Sequence, residues 1–197
     1  MKLNVDFTDL RLAAAKMNPP DNADSLFAVL GNECEVISPH GDNAIDQDPC
    51  IVLVEGYSSA GVVYDAIQQS VIAVPDVDSL KYIAMMLKEY APDKPIIIFA
   101  EDRHFGDVAI GSEKARNAAE AVNCYFVTPV FAPGEQEMNS SSLTSFYDLA
   151  NHSVLGAEGV CRQVEGIVSY ALEDFQRSND VMKNEMTSSL KRTGYSR

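Results

Sequence analysis

Basic residues are scarce in this chain and do not cluster. Lysine and arginine total 15 against 29 aspartates and glutamates, a formal net charge of −14 at pH 7 with a pI near 4.5. A protein that grips nucleic acid by its phosphates usually carries a basic face or stripe. Here the only such concentration is the closing KRTGYSR. DNA or RNA, if handled at all, must then be approached through a divalent cation or a basic partner protein. A protein partner is therefore expected; acidity by itself serves only solubility.

Other absences narrow the field further. No apolar run approaches the roughly 20 residues that cross a bilayer, and the opening MKLNVDFTDL carries acids where a secretory signal would carry a basic end and an apolar stretch. No membrane association and a cytoplasmic location are the expectation. Cys34, Cys50, Cys124 and Cys161 are scattered without a CxxC, which signals neither a zinc ribbon nor a disulfide framework and predicts reduced, mostly buried thiols. There is no G-x-x-x-x-G-K-[ST] loop and no GxSxG elbow, and Cys124 and His152 have no spacing that recommends a nucleophile and base.

What is present is a regular alternation. At 197 residues and 46% hydrophobic content the chain suffices for one good-sized domain with a small appendage. Residues 1–50 read as an N-terminal extension of uncertain structure, with SLFAVL and CEVIS as two possible strands. From Ile51 onward the apolar runs IVLV, VIAV, IIIFA and CYFVTPV are separated by helical segments. The first, SSAGVVYDAIQQ, has a serine as candidate cap; the second, DSLKYIAMMLKEY, opens on Asp78; the third, GSEKARNAAEAV, takes Ser112 as its cap. Strand and helix in alternation predict βαβ units and an α/β fold over 51–130: a central parallel sheet of about four strands flanked by helices. In 131–197, FAPGEQEMNSSSLTS reads as an exposed loop. Helices follow at about 143 to 152 and about 157 to 175, and QRSNDVMKNEMTSSLKRTGYSR is a frayed helix or a partner-binding tail.

Parallel strands connected by right-handed crossovers deliver their C-terminal ends to one edge, where ligands bind in open α/β sheets. Acids collect there: Glu55 after the first run, Asp76 and Asp78 after the second, Glu101 and Asp102 after the third. Asp76 and Asp78 also suit helix caps. Glutamate is a poor cap, so the carboxylate of Glu55 predicts either solvent or a cation beside it.

These residues resemble the Toprim domain of plasmid- and phage-encoded, conjugative-type DNA primases, over 51 to about 164. VEGYSSA is similar to the family's EGxxTA strand end, and VIAVPDVDSLKYIA to its second strand, acid and helix. IIIFAEDRH stands at the place of its DxD element, GSEKARNAA matches its KAxxAA helix, and TSFYDL echoes T-D-F-N-D-L. The resemblance implies a Rossmann-like Toprim fold and metal-dependent phosphoryl or nucleotidyl transfer of the primase or nuclease type, using Mg²⁺ or Mn²⁺. It implies Glu55 in acid/base chemistry or the metal site, with Asp76, Asp102 and His104 as metal ligands. His104 stands where the family has its second aspartate, and imidazole suits zinc or manganese better than magnesium. The position is thus either a ligand or a solvent-facing ring, with Glu101 or Asp107 as substitutes. That departure, and the absence of a basic subdomain within residues 1–50, keeps an alternative open: a catalytically degenerate accessory or regulatory protein of a plasmid, phage or other mobile element.

Overall fold

The computed structural model describes residues 34–37, 47–102, 110–138 and 143–193. A five-stranded sheet forms the centre: β1 (Glu35–Ile37), β2 (Ile51–Glu55), β3 (Val71–Val74), β4 (Ile96–Phe99) and β5 (Tyr125–Val127), in the order β1-β3-β2-β4-β5. The last four strands run parallel, and β1 lies antiparallel on the outer edge of β3, Val36 opposite Ile72. The expected α/β architecture with four parallel strands is present. CEVIS contributes the added edge strand, while SLFAVL lies outside the described residues.

Helices α1 (Tyr57–Ile67), α2 (Val77–Tyr90) and α3 (Ile110–Val122) connect the parallel strands. After β5 come a short α4 (Glu135–Met138), α5 (Phe146–His152) and the long α6 (Gly156–Thr193). Every residue of β2, β3 and β4 is buried, as parallel strands covered on both faces require. Alternate side chains serve opposite layers. Ile51, Leu53, Ile72 and Ile98 pack with Leu80, Ile83 and Leu87 of α2 and Ala115 and Ala118 of α3. Val52, Val54, Ala73 and Phe99 pack with α1, α5 and α6 through Val63, Phe146, Leu149 and Val164. At about 1.5–3 kcal/mol for each fully buried large aliphatic side chain, this double-sided burial is the main favourable contribution.

Three helix starts differ from expectation. α1 springs directly from the strand, with Gly56 at its N-cap and no side-chain cap bond, so the serines fall inside the first turn. The φ of +82° at Gly56 makes the abrupt turn and favours glycine. α2 is capped by Asp76, whose side chain accepts from Ser79 N–H, which leaves Asp78 in the first turn. α3 already runs at Ile110, so Ser112 is a buried helical residue.

The segment read as an exposed loop is partly core. Phe131 and Leu143 are buried and Glu135 opens α4, because the α5–α6 side of the sheet needs a cover that local composition does not reveal. α5 starts on a capping box: Ser145 Oγ accepts from Asp148 N–H while the Asp148 carboxylate accepts from Ser145 N–H. α6 extends well past the expected end near 175. Among the described residues no helix is long and apolar enough to cross a membrane. The four cysteines are thiols, Cys50 buried and the others half-buried. Burial pushes the thiols of Cys50 and Cys124 up to about 12, which keeps both protonated and inert.

Phe146 is 1% exposed and meets Phe99 edge-on, ring centroids 5.3 Å apart. Phe146→Ala should cost about 3–5 kcal/mol in urea unfolding, and Ser145→Ala about 1 kcal/mol. Equal costs would show that α5 is held by its cap and not by its packing.

Candidate functional site

The strand order fixes where a site can be. The chain leaves β2 to build β3 on one side, then returns to place β4 on the other, so the crevice of such a sheet opens between the C-terminal ends of β2 and β4. Glu55 ends β2, and residues 100–102 leave β4 directly beside it.

Glu55 continues the phase of Ile51 and Leu53 and is 1% exposed. A carboxylate carried that deep is costly unless polar groups meet it. Its Oε2 accepts the backbone N–H of Glu101 at 3.0 Å. That oxygen thus meets a peptide dipole from the neighbouring strand end. Gly56 allows the close approach. Its N–H donates to Val74 O at 2.7 Å, and a Cβ built on it would stand 3.4 Å from Glu101 Oε1.

Asp102 leaves β4 in another direction. Its N–H donates to Thr144 O at 2.7 Å, and its Oδ2 lies 3.5 Å from the Gln136 amide, which also donates to Leu143 O at 3.1 Å. Asp76 is exposed, its Oδ1 accepting from Ser79 N–H at 2.9 Å and from Ser79 Oγ at 3.1 Å. Asp78 pairs with Lys114 at 2.6 Å, joining α2 to α3 on the surface. His104 lies outside the described residues, as do Arg103 and Asp107. The structure thus brings Glu55 against the Glu101–Asp102 corner and uses Asp76 as a cap. Among the described residues, no three His, Cys, Asp or Glu side chains stand together as a metal-holding group.

Residues beyond the sequence reading support this corner. Gln136 and Thr144 tie Asp102 to the segment that covers the sheet. Asp148 Oδ2 accepts from Thr144 N–H at 3.1 Å, so the TSFYDL element buttresses the rim through its backbone. The neighbouring Glu135, 6% exposed, accepts from Ala132 N–H, Ser153 Oγ and Val154 N–H. The Ser-x-x-Asp spacing of the box was a local signal; the polar Gln136 had none.

With the geometry established, comparison with known proteins adds one relationship. The chain is similar to DNA primase TraC. One such protein of Escherichia coli is 29% identical over 196 aligned positions, covering 70% of this chain and 14% of the relative. A second of the same name and organism is 34% identical over 99 positions, covering 48% of this chain and 9% of the relative. The chain thus spans a small fraction of the length of either. No family model and no solved structure matches it.

The hydrogen bonds to Ser153 Oγ and Val154 N–H hold the Glu135 carboxyl below its ordinary 4.5, outweighing burial. Such a group stabilises the fold above that ordinary value, and the contribution disappears as pH falls through the depressed folded value. Glu135→Gln should therefore lower the urea midpoint at pH 7, with the gap from the parent closing as the medium is acidified below 4.5. A gap that is constant with pH would mean that the carboxylate charge plays no part.

Proposed function

We propose that this chain is a primase-related, Toprim-like module of nucleic-acid metabolism that takes part in metal-dependent phosphoryl or nucleotidyl transfer. The observation that carries the reading is Glu55: a buried carboxylate at the end of the central strand, at the switch point of the sheet, in a chain similar to a DNA primase. Structural strands rarely end on a buried glutamate, and a carboxylate in such a crevice suits acid/base or metal work.

The oxygen donors at this rim suit Mg²⁺ or Mn²⁺. Glu55 and Asp102 are the described candidates, and His104, Asp107 or both would have to complete the set, because no group of three is assembled among the described residues. Asp76 is the weaker candidate, since binding a metal would compete with its cap on α2. A bound ion would neutralise charge on a phosphate oxygen and so offset the acidity of the chain. The protein's own contribution is orientation: Glu101 N–H fixes the Glu55 carboxylate, while Thr144 and Gln136 fix the Asp102 corner.

A second reading has support of its own. Glu55, Asp76 and Asp102 all have contacts within the protein, as expected of an accessory or regulatory binding module that works without metal. DNA or RNA would then be reached through a basic partner protein.

Glu55→Gln separates these readings, because the amide oxygen can still accept from Glu101 N–H while the charge and basicity are lost. With Mg²⁺ or Mn²⁺, nucleotides and single-stranded DNA, the parent chain should make short oligonucleotides or cleave the strand, and the variant should be at least about 100-fold slower. Equal activity in the two would remove Glu55 from the chemistry. Calorimetric titration that detects no Mn²⁺ binding to the parent would favour the accessory module.

A further inference from the structure

Two helices start at the C-terminal edge of the sheet on the same layer, and each carries an exposed tyrosine in its first turn. Tyr57 is the first residue of α1, two positions beyond Glu55, and is 46% exposed. Tyr147 is the second residue of α5, three positions beyond the Thr144 carbonyl that accepts Asp102 N–H, and is 42% exposed. Both helices pack on the sheet face formed by Val52, Val54 and Phe99. Their first turns are joined directly, because Tyr147 N–H donates to the buried Ser59 Oγ at 3.4 Å. One tyrosine thus follows the β2 side of the crevice, and the other stands on the segment tied to the β4 side.

Isolated apolar side chains on a surface need no explanation. These are not scattered. Among the described residues the exposed tyrosines and phenylalanines are Tyr57, Tyr147 and Tyr170, and two of the three stand at this edge. The buried faces of the two helices are built from other residues, Ala60 and Val63 in α1 and Phe146 and Leu149 in α5. The Tyr147 ring is steadied on the outside of α5 by the exposed His152 ring, centroids 6.1 Å apart.

Aromatic rings at this place answer a difficulty set by charge. With a net charge of −14 the chain repels phosphate, so phosphate contacts, the usual source of affinity for nucleic acid, are unfavourable here. Base stacking engages a neutral face, tolerates any sequence and asks nothing of the phosphates. A basic protein partner, the other candidate for this edge, would be drawn by the carboxylates and has no special need of two rings.

We propose that Tyr57 and Tyr147 are base-positioning residues, stacking unpaired bases of a single-stranded nucleic acid at the Glu55 corner. This role rests on the nucleic-acid reading of the site and supplies what that reading lacks, a means for an acidic rim to hold a strand.

Binding of a short single-stranded DNA of mixed sequence to the full chain, measured with Mn²⁺ present, should weaken at least about fivefold in Tyr57→Leu and likewise in Tyr147→Leu. Tyr57→Phe and Tyr147→Phe should bind as the parent does, as should Tyr170→Leu beside the edge strand β5, all five variants keeping the parent's urea midpoint. The same strand made abasic keeps every phosphate and should lose at least as much affinity as the two leucine changes together. The chain has no tryptophan, so Tyr147→Trp places a single reporter at the edge, and its emission should be quenched by the intact strand and not by the abasic one. A parent that binds no single-stranded DNA, an abasic strand that binds as well as the intact one, or an unquenched tryptophan would each overturn the stacking role. Leucine variants that bind like the parent while Glu55→Gln loses its activity would overturn that role and leave the reading of Glu55 standing; weakened leucine variants beside a fully active Glu55→Gln chain would do the reverse.

Discussion

One hydrogen bond organises the C-terminal edge of the sheet: the N–H of Glu101 to the carboxylate of Glu55. The central strand is buried on both faces by two helical layers, so whatever ends it is buried too, and here it ends on a group that water would otherwise hold. A peptide dipole is the least disruptive answer, because it comes from the neighbouring strand and adds no second charge. It also ties the end of β2 to the exit of β4, across the crevice where such sheets bind ligands. The corner is thus held in register from below by the parallel ladder and from above by this bond.

Rigidity at that corner is supplied by a part of the chain far away in sequence. Asp102 N–H rests on Thr144 O, Thr144 N–H on Asp148, and Asp148 closes the capping box of α5 with Ser145, while Phe146 of that helix packs on Phe99 of β4. A path of bonds leaves β4 at its end and returns to its side. The same residues that give α5 its start therefore also support the rim.

The buried runs IVLV, VIAV and IIIF were legible in sequence because a strand covered on both faces must be apolar throughout. α2 was legible because its apolar face recurs at helical spacing. What escaped was set by long-range geometry. Gly56 as the cap of α1 depends on a positive φ that composition does not encode. The burial of Phe131, Leu143 and Glu135 depends on the sheet needing a cover, and locally those residues look like any polar linker. At the site, the acids of the strand ends were visible, but their uses were not. Asp76 and Glu55 look alike as acids after apolar runs; one caps a helix in solvent and the other is enclosed, a difference made by the flanking strand β4 and its peptide groups.

Electrostatics connects the rim to the rest of the chain. A body this acidic repels phosphate at long range and repels a second copy of itself, so any encounter with nucleic acid or with another such chain needs a local feature that reverses the sign. Among the described residues the rim carries carboxylates, amides and hydroxyls, so a cation or a basic partner would supply that reversal there. Glu55 itself is enclosed, with its Oε2 held by a fixed dipole over a short distance, whereas Asp76 stands in water and is used by its own helix.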